Sequence, residues 1–188
     1  MSAIKQFAFA ALVSMTAVAC ADNDRASRDA TPGTPGAAGT AGTSTGDRGF
    51  VEHMVADGQA EVMLGQMAQQ KAASPEVKQF GTMMVRDHQT AGQELKSIAA
   101  KHNIELKTEL DGDHKDLHER LAKLSGAEFD REYMKAMVDD HEKAVDDAKE
   151  KAEGSDNPDI KRWASKTLPT LQQHLERARQ INQTLEKH

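Results

Sequence analysis

The chain has 188 residues, a formal net charge of −6, 29% charged residues and 4% aromatics. A composition rich in Ala, Glu, Lys, Gln and Leu favours helices over sheets. The negative charge gives no electrostatic support to nucleic-acid binding, nor to attraction of the folded part to an anionic membrane surface, and the single cysteine, Cys20, excludes an intramolecular disulfide.

The N-terminus reads as an export signal. Lys5 supplies a positive start, the apolar run FAFAALVSMTAV follows, and Ala19-Cys20 closes it. A basic start, a short apolar stretch and small residues before a cut are the parts of a secretory signal peptide. The run is short for a membrane span and no stop-transfer pattern follows. Residues 1–19 are therefore expected to be a signal peptide. Cys20, placed after Ala17-Val18-Ala19, resembles the lipidated cysteine of a bacterial lipobox; an ordinary cleaved signal is the other reading. Both put the protein outside the cytoplasm, in the periplasm or at the periplasmic face of the outer membrane, with the membrane as a partner through the lipid anchor.

Residues 20–47 are expected to be a tether. The stretch TPGTPGAAGTAGTSTG holds no large apolar residue, so it cannot bury enough surface to offset its ordering entropy. Its composition suits a flexible linker.

A folded domain is expected over 48–188. From Phe50 the apolar period becomes about 3.6. The first predicted helix runs from about 48 to 72 and stops before Ser74-Pro75. The second starts at Pro75, a good first-turn residue, and runs to His102-Asn103. The third spans about 127–152 and ends at Gly154, a plausible C-terminal cap. The fourth opens at Ser155-Asp156-Asn157-Pro158, a strong start signal, and runs to about Lys187. A long connection separates the second and third helices and contains the short helical piece DHKDLHERLAKL. Short, long and short connections predict an all-α, ferritin-like four-helix bundle with one crossover, in which helices two and three run parallel.

Each inner face is apolar with one titratable group near its middle. Glu61 lies among Phe50, Met54, Leu64 and Ala68; His88 among Val77, Met84, Leu95 and Ile98; His141 among Met134, Met137 and Ala148; His174 among Ile160, Leu171 and Ile181. Asp57 and Asp130 lie nearer the starts of their stripes. His88 and His141 sit in a repeated pattern, M-V-x-D-H-x-x-A-x-x-x-x-K, at 84–96 and 137–149. Burying an unpaired charge is costly, so four such groups at one depth must pair with each other or with something bound.

A carboxylate with three imidazoles suits a transition metal; zinc, copper and iron all fit. Asp87 and Asp140, each preceding a histidine, are expected to orient the rings. Met84 and Met137 lie one turn below His88 and His141, where thioethers suit Cu(I), although methionine at helical spacing is more often core filler. His102, His114 and His118 read as solvent-facing, and Pro169 predicts a kink five residues before His174. The Glu and Glu-x-x-His signature of di-iron bundles is missing from the inner faces. No catalytic triad, phosphate-binding loop or cysteine redox motif stands out. The residues thus point away from an enzyme. The competing reading is a metal-free polar network that specifies the bundle, in a structural or stress-related envelope module presenting DHKDLHERL to a partner. A homo-oligomer and the identity of a protein partner stay open.

The pieces AEVMLGQMA at 60–68, MVRDH at 84–88, FDREYMKAMVDDH at 129–141 and TLPTLQQHL at 167–175 together resemble the ferritin-like family catalogued as domain of unknown function 4142. The resemblance implies a four-helix ferritin-like bundle in an exported bacterial envelope protein and no established biochemical activity. The positions carrying it are Glu61, Asp87, His88, Asp130, Tyr133, His141 and His174. It leaves Asp130 and Tyr133 as partners in a structural polar contact, since a buried tyrosine hydroxyl needs one.

Overall fold

A computed structural model describes residues 43–107 and 109–187. The expected signal peptide, Cys20 and the tether up to residue 42 lie outside the described residues. Five helices follow in order: α1 Thr45–Lys71, α2 Pro75–Lys101, α3 Gly112–Ala122, α4 Gly126–Gly154 and α5 Pro158–Leu185. The described residues contain no β-strand, only an isolated bridge between Ala72 and Gly126. α1 thus begins within the stretch expected to be tether, and Asp47 is already buried.

The helix starts follow from local chemistry. Four backbone N–H groups at each helix start lack an intrahelical partner, and Ser, Asp or Asn can supply an acceptor. Ser44 accepts from Asp47 N at 3.1 Å. Ser74 accepts from the N–H groups of Glu76 and Val77 just before Pro75. Asp111 accepts from His114 N at 2.9 Å, and Asn157 accepts from Asp159 N and Ile160 N. α5 continues through Pro169 to Leu185.

Side-chain pairs fix the helix directions. Gly65 meets Gly81, and Gly58 lies near His88, so α1 and α2 are antiparallel. Glu61 meets His141 while Asp47 meets Lys151, so α4 also runs against α1. Asp87 with His174 and Glu94 with Lys166 set α5 against α2; because α2 and α4 both run against α1, α5 also runs against α4. Therefore α2 and α4 are parallel, and the chain between them must cross the length of the bundle. α3 lies in that crossover. Leu117 and Leu121 are buried, Lys71 Nζ donates to the carbonyls of Ala122 and Leu124, and Arg120 pairs with Glu132 at 2.8 Å. The piece expected to be an exposed recognition element is thus docked by one face against α1 and α4.

Two apolar clusters fill the interior. One holds Leu64, Phe80, Met84, Phe129, Met134 and Met137; the other holds Phe50, Val51, Leu95, Ile160, Trp163 and Leu171. On every long helix the central titratable residue falls between the stretches that feed the two clusters. Glu61, His88, His141 and His174 therefore form a buried polar layer across an otherwise apolar bundle.

α1 and α2 cross closely at Gly65 and Gly81. A Cβ on Gly81 would lie 2.7 Å from Gly65 O and 2.9 Å from Ala68 Cβ; one on Gly65 would lie 2.7 Å from Gly81 O. The obstructing atoms are largely backbone, so a side chain here forces the helices apart. Gly81→Ala gains up to about 1 kcal/mol in helix propensity but is expected to destabilise the protein by about 2 kcal/mol net through overpacking, read as a lower urea midpoint.

Candidate metal centre

Glu61 is the centre of the polar layer. Its Oε2 lies 2.8 Å from His88 Nδ1, and its Oε1 lies 3.3 Å from His141 Nδ1. His141 Nδ1 also lies 2.9 Å from the carbonyl of Met137, one turn back. On the other side, His174 Nε2 donates to Asp87 Oδ2 at 3.0 Å, and Asp87 is itself held by Arg86 at 2.7 Å. Every ring therefore has one nitrogen fixed by an acceptor. A neutral imidazole carries one N–H and one lone pair, so fixing the N–H fixes where the lone pair points.

The remaining nitrogens are His88 Nε2, His141 Nε2 and His174 Nδ1. All three are buried without a hydrogen-bond partner. The rings converge, with centroids 5.5 Å apart for His88 and His141, 5.4 Å for His88 and His174, and 5.3 Å for His141 and His174. One ligand atom from each of the three lies within 4.8 Å of the others. Exposure is 9% for His88, 0% for His141 and 2% for His174. Leaving a buried polar atom unpaired costs about 1–3 kcal/mol, so three together in one layer call for an explanation.

The electrostatics follow from burial and the shared carboxylate. Burial pushes the Glu61 carboxyl up, but the pull of His88 and His141, the His88 hydrogen bond and the more distant His174 outweigh it and bring it down to about 2. Burial pushes His88 down, yet the Glu61 charge and hydrogen bond leave it raised. Burial lowers His141 and the His88 charge adds to that, against Glu61. Burial likewise carries His174 down to about 4 despite its bond to Asp87. For Asp87, the hydrogen bonds from Arg86 and His174 outweigh burial and lower it. Burial thus favours the neutral ring at His141 and His174, while the Glu61 charge favours a proton on His88.

The structure brings together Glu61, His88, His141, His174 and Asp87 from the residues singled out in the sequence. Glu61, expected as a ligand, has both oxygens turned to ring nitrogens. Asp140 does not contact the rings as expected: it is turned into a neighbouring pocket between α1, α3 and α4 with Asp57 and His114. There His53 Nε2 lies 3.1 Å from Asp57 and His114 Nε2 lies 3.5 Å from it. His114, read as solvent-facing, is largely enclosed, and His102 is held by Asp159 at 2.9 Å. The expected contact between Asp130 and Tyr133 is not formed. Asp130 accepts from the backbone of Ala73 and Ser74, fixing the α1–α2 turn, and the Tyr133 hydroxyl is buried without a partner. His53 went unnoticed in the sequence because it lies off the apolar stripe. Its spacing of four from Asp57 was the available signal.

Burial raises Asp57 to about 6, with His53 opposing and Glu61 adding. Between those values its folded form therefore holds a proton that the unfolded chain, with the ordinary aspartate value of 3.8, has released. The ionised group thus costs stability progressively as pH rises from about 4 through 6. Asp57→Asn, which cannot ionise, is expected to stabilise the protein by about 1 kcal/mol at pH 7, after discount for solvent screening, and to lose that advantage below pH 4, read from urea midpoints at both pH values.

Comparison with known proteins places the fold. The structure of CopM in its Cu(II)-bound form is similar with a TM-score of 0.63 and 22% identity, over 73% of this chain and 96% of that one. CopM in its Ag-bound form gives a TM-score of 0.60 and 23% identity over the same shares. A DUF305 fragment from Deinococcus radiodurans gives a TM-score of 0.65 and 13% identity, over 78% of this chain and 99% of that one. Identities at this level speak for a shared helical fold. A comparison with curated proteins gave no match. The profile described as domain of unknown function DUF4142 matches residues 32–181, and with the helical layer now in view, the chain belongs to that family.

Proposed function

We propose that this protein is an exported, lipid-anchored, ferritin-like four-helix bundle that binds a transition-metal ion without catalysing a reaction. His88, His141 and His174 are the ligands, and Glu61 and Asp87 hold their rings in place. The observation that carries the reading is the set of three buried, unpartnered imidazole nitrogens in one layer. Imidazole suits zinc, copper and iron, and a ligand ring whose other nitrogen is tied to a carboxylate or carbonyl is the usual arrangement around such ions. The shared fold with CopM, solved with Cu(II), Cu(I) and Ag, weights the choice toward copper. Cys20 is the anchor and residues upstream of α1 the tether. Cys20→Ser is expected to move the protein from the membrane fraction to the soluble fraction of its host.

One observation favours a metal-free reading. Glu61 already bridges His88 and His141, as a network serving only to specify the bundle would. The two readings separate on titration. Tag-free protein without metal, titrated with Cu(I), Cu(II), Zn(II) and Fe(II), is expected to take up one ion per chain. Binding to the native state alone must raise stability by linkage, about 2.7 kcal/mol at a hundred times the dissociation constant. His88→Ala with His174→Ala is expected to abolish both uptake and the melting-temperature rise while the far-ultraviolet helix signal is retained. A well-folded wild-type chain that takes up none of these ions leaves the polar network as the function of the layer.

A further inference from the structure

A groove runs between α1 and α2 and ends on the His88 ring. Its wall includes Gly58, Val62, Met63, His88 and Gly92, and its cavity is about 320 Å³. His88 is the most exposed of the three rings, and it alone of them lines this groove. The acidic pocket on the other side of α1 carries Asp57, Asp140 and His114 but none of the three rings.

Two features of the groove are expensive unless they serve something. Gly58 and Gly92 lie inside long helices, where glycine costs about 1 kcal/mol relative to alanine. Neither is forced by packing as Gly65 and Gly81 are. A Cβ on Gly92 would meet nothing within 4 Å, and one on Gly58 would only reach ordinary contact with His88 Nδ1 at 3.7 Å. Together they leave the approach to His88 bare. Met63 is 40% exposed, the large apolar side chain most open to solvent among the described residues. It stands in the wall of the same groove. Apart from Lys96, the groove has no charged side chain; Gln59, Gln89 and Gln93 supply its polar groups.

We infer that this groove is the portal through which metal reaches His88, with the Met63 thioether as the first ligand on the way in. The inference rests on the metal reading of the three rings. A thioether in a nearly uncharged passage takes a soft, weakly hydrated monovalent ion such as Cu(I) or Ag(I). It offers little to a hydrated divalent ion, which needs oxygen ligands or compensating charge.

The test separates rate from affinity. Metal-free full-length protein is mixed with Ag(I) for timed intervals, free ion is quenched with thiosulfate, and retained silver is counted. Equilibrium affinity is measured separately by competition. Gly92→Leu fills the groove while leaving every hydrogen-bond partner of the rings in place, and Gly92→Ala is the control that leaves it open. Loading of Gly92→Leu is expected to slow by about tenfold or more, because association then waits on a conformational opening, with equilibrium affinity unchanged. Met63→Leu is expected to slow loading in the same direction, and Gly92→Ala to load as wild type does. Loading of Gly92→Leu at the wild-type rate overturns the portal while leaving the metal site standing. A loss of affinity in Gly92→Leu that matches its loss of rate overturns it too, since the residue would then act on the centre. Absence of silver binding by folded wild type overturns the portal, and the metal reading then stands or falls on the copper, zinc and iron titration.

Discussion

The Glu61 carboxylate, buried between His88 and His141, is the constraint on which the rest of the structure depends. A carboxylate inside an apolar bundle is tolerated only where donors or positive charge meet it. Two ring nitrogens do so. Meeting them requires α1 to lie against both α2 and α4 at one level, which fixes the register of three helices. His174 adds the fourth through its neighbours and through Asp87 on α2. The apolar clusters above and below supply the cohesion, but apolar contacts tolerate sliding far better than a bridged carboxylate does.

The same arrangement decides what the rings have left to offer. Fixing one nitrogen of each imidazole makes the layer rigid before anything is bound. A ligand set whose orientation is set in advance loses less entropy on binding. The cost is three unpaired nitrogens in the interior, which weaken the metal-free fold. Sacrificing stability at a few polar positions is a common feature of functional sites. The fold positions the layer midway along the helices, between two apolar halves that exclude water from three of its four members.

Much of this was legible in the sequence because helical periodicity is a strong signal over long segments. Glu61, His88, His141 and His174 each interrupt an apolar stripe, and their common depth could be estimated from helix starts such as Pro75. The crossover was legible from the long connection. What could not be read was the partner of each polar group. Asp87 and Asp140 occupy equivalent places in the repeated M-V-x-D-H pattern, yet one meets His174 and the other turns toward Asp57, because α2 and α4 face different neighbours. Asp130 stood beside Tyr133 in sequence terms, while the nearest unsatisfied donors were the backbone N–H groups of Ala73 and Ser74. His114 looked solvent-facing because α3 is polar overall, and only its docking through Leu117 and Leu121 turns it inward. Local pattern gives the face of a helix; the angle at which neighbours meet that face is a property of the assembled bundle.

The Glu61 bridge also bears on the valence of any ion proposed for the layer. Asp87 is already matched by Arg86, so Glu61 leaves one negative charge at the rings to be balanced from within. A proton on His88 balances it, and so does an ion of single positive charge in that proton's place. Exchange of one for the other leaves the interior neutral. An ion of charge two would leave one positive charge in the interior, to be met by Asp57 and Asp140, both of which burial holds near pH 6. Acidity would then govern the two valences differently. A doubly charged ion would lose its outer counter-charges as those carboxyls protonate, while a singly charged one would compete only with the proton it replaces.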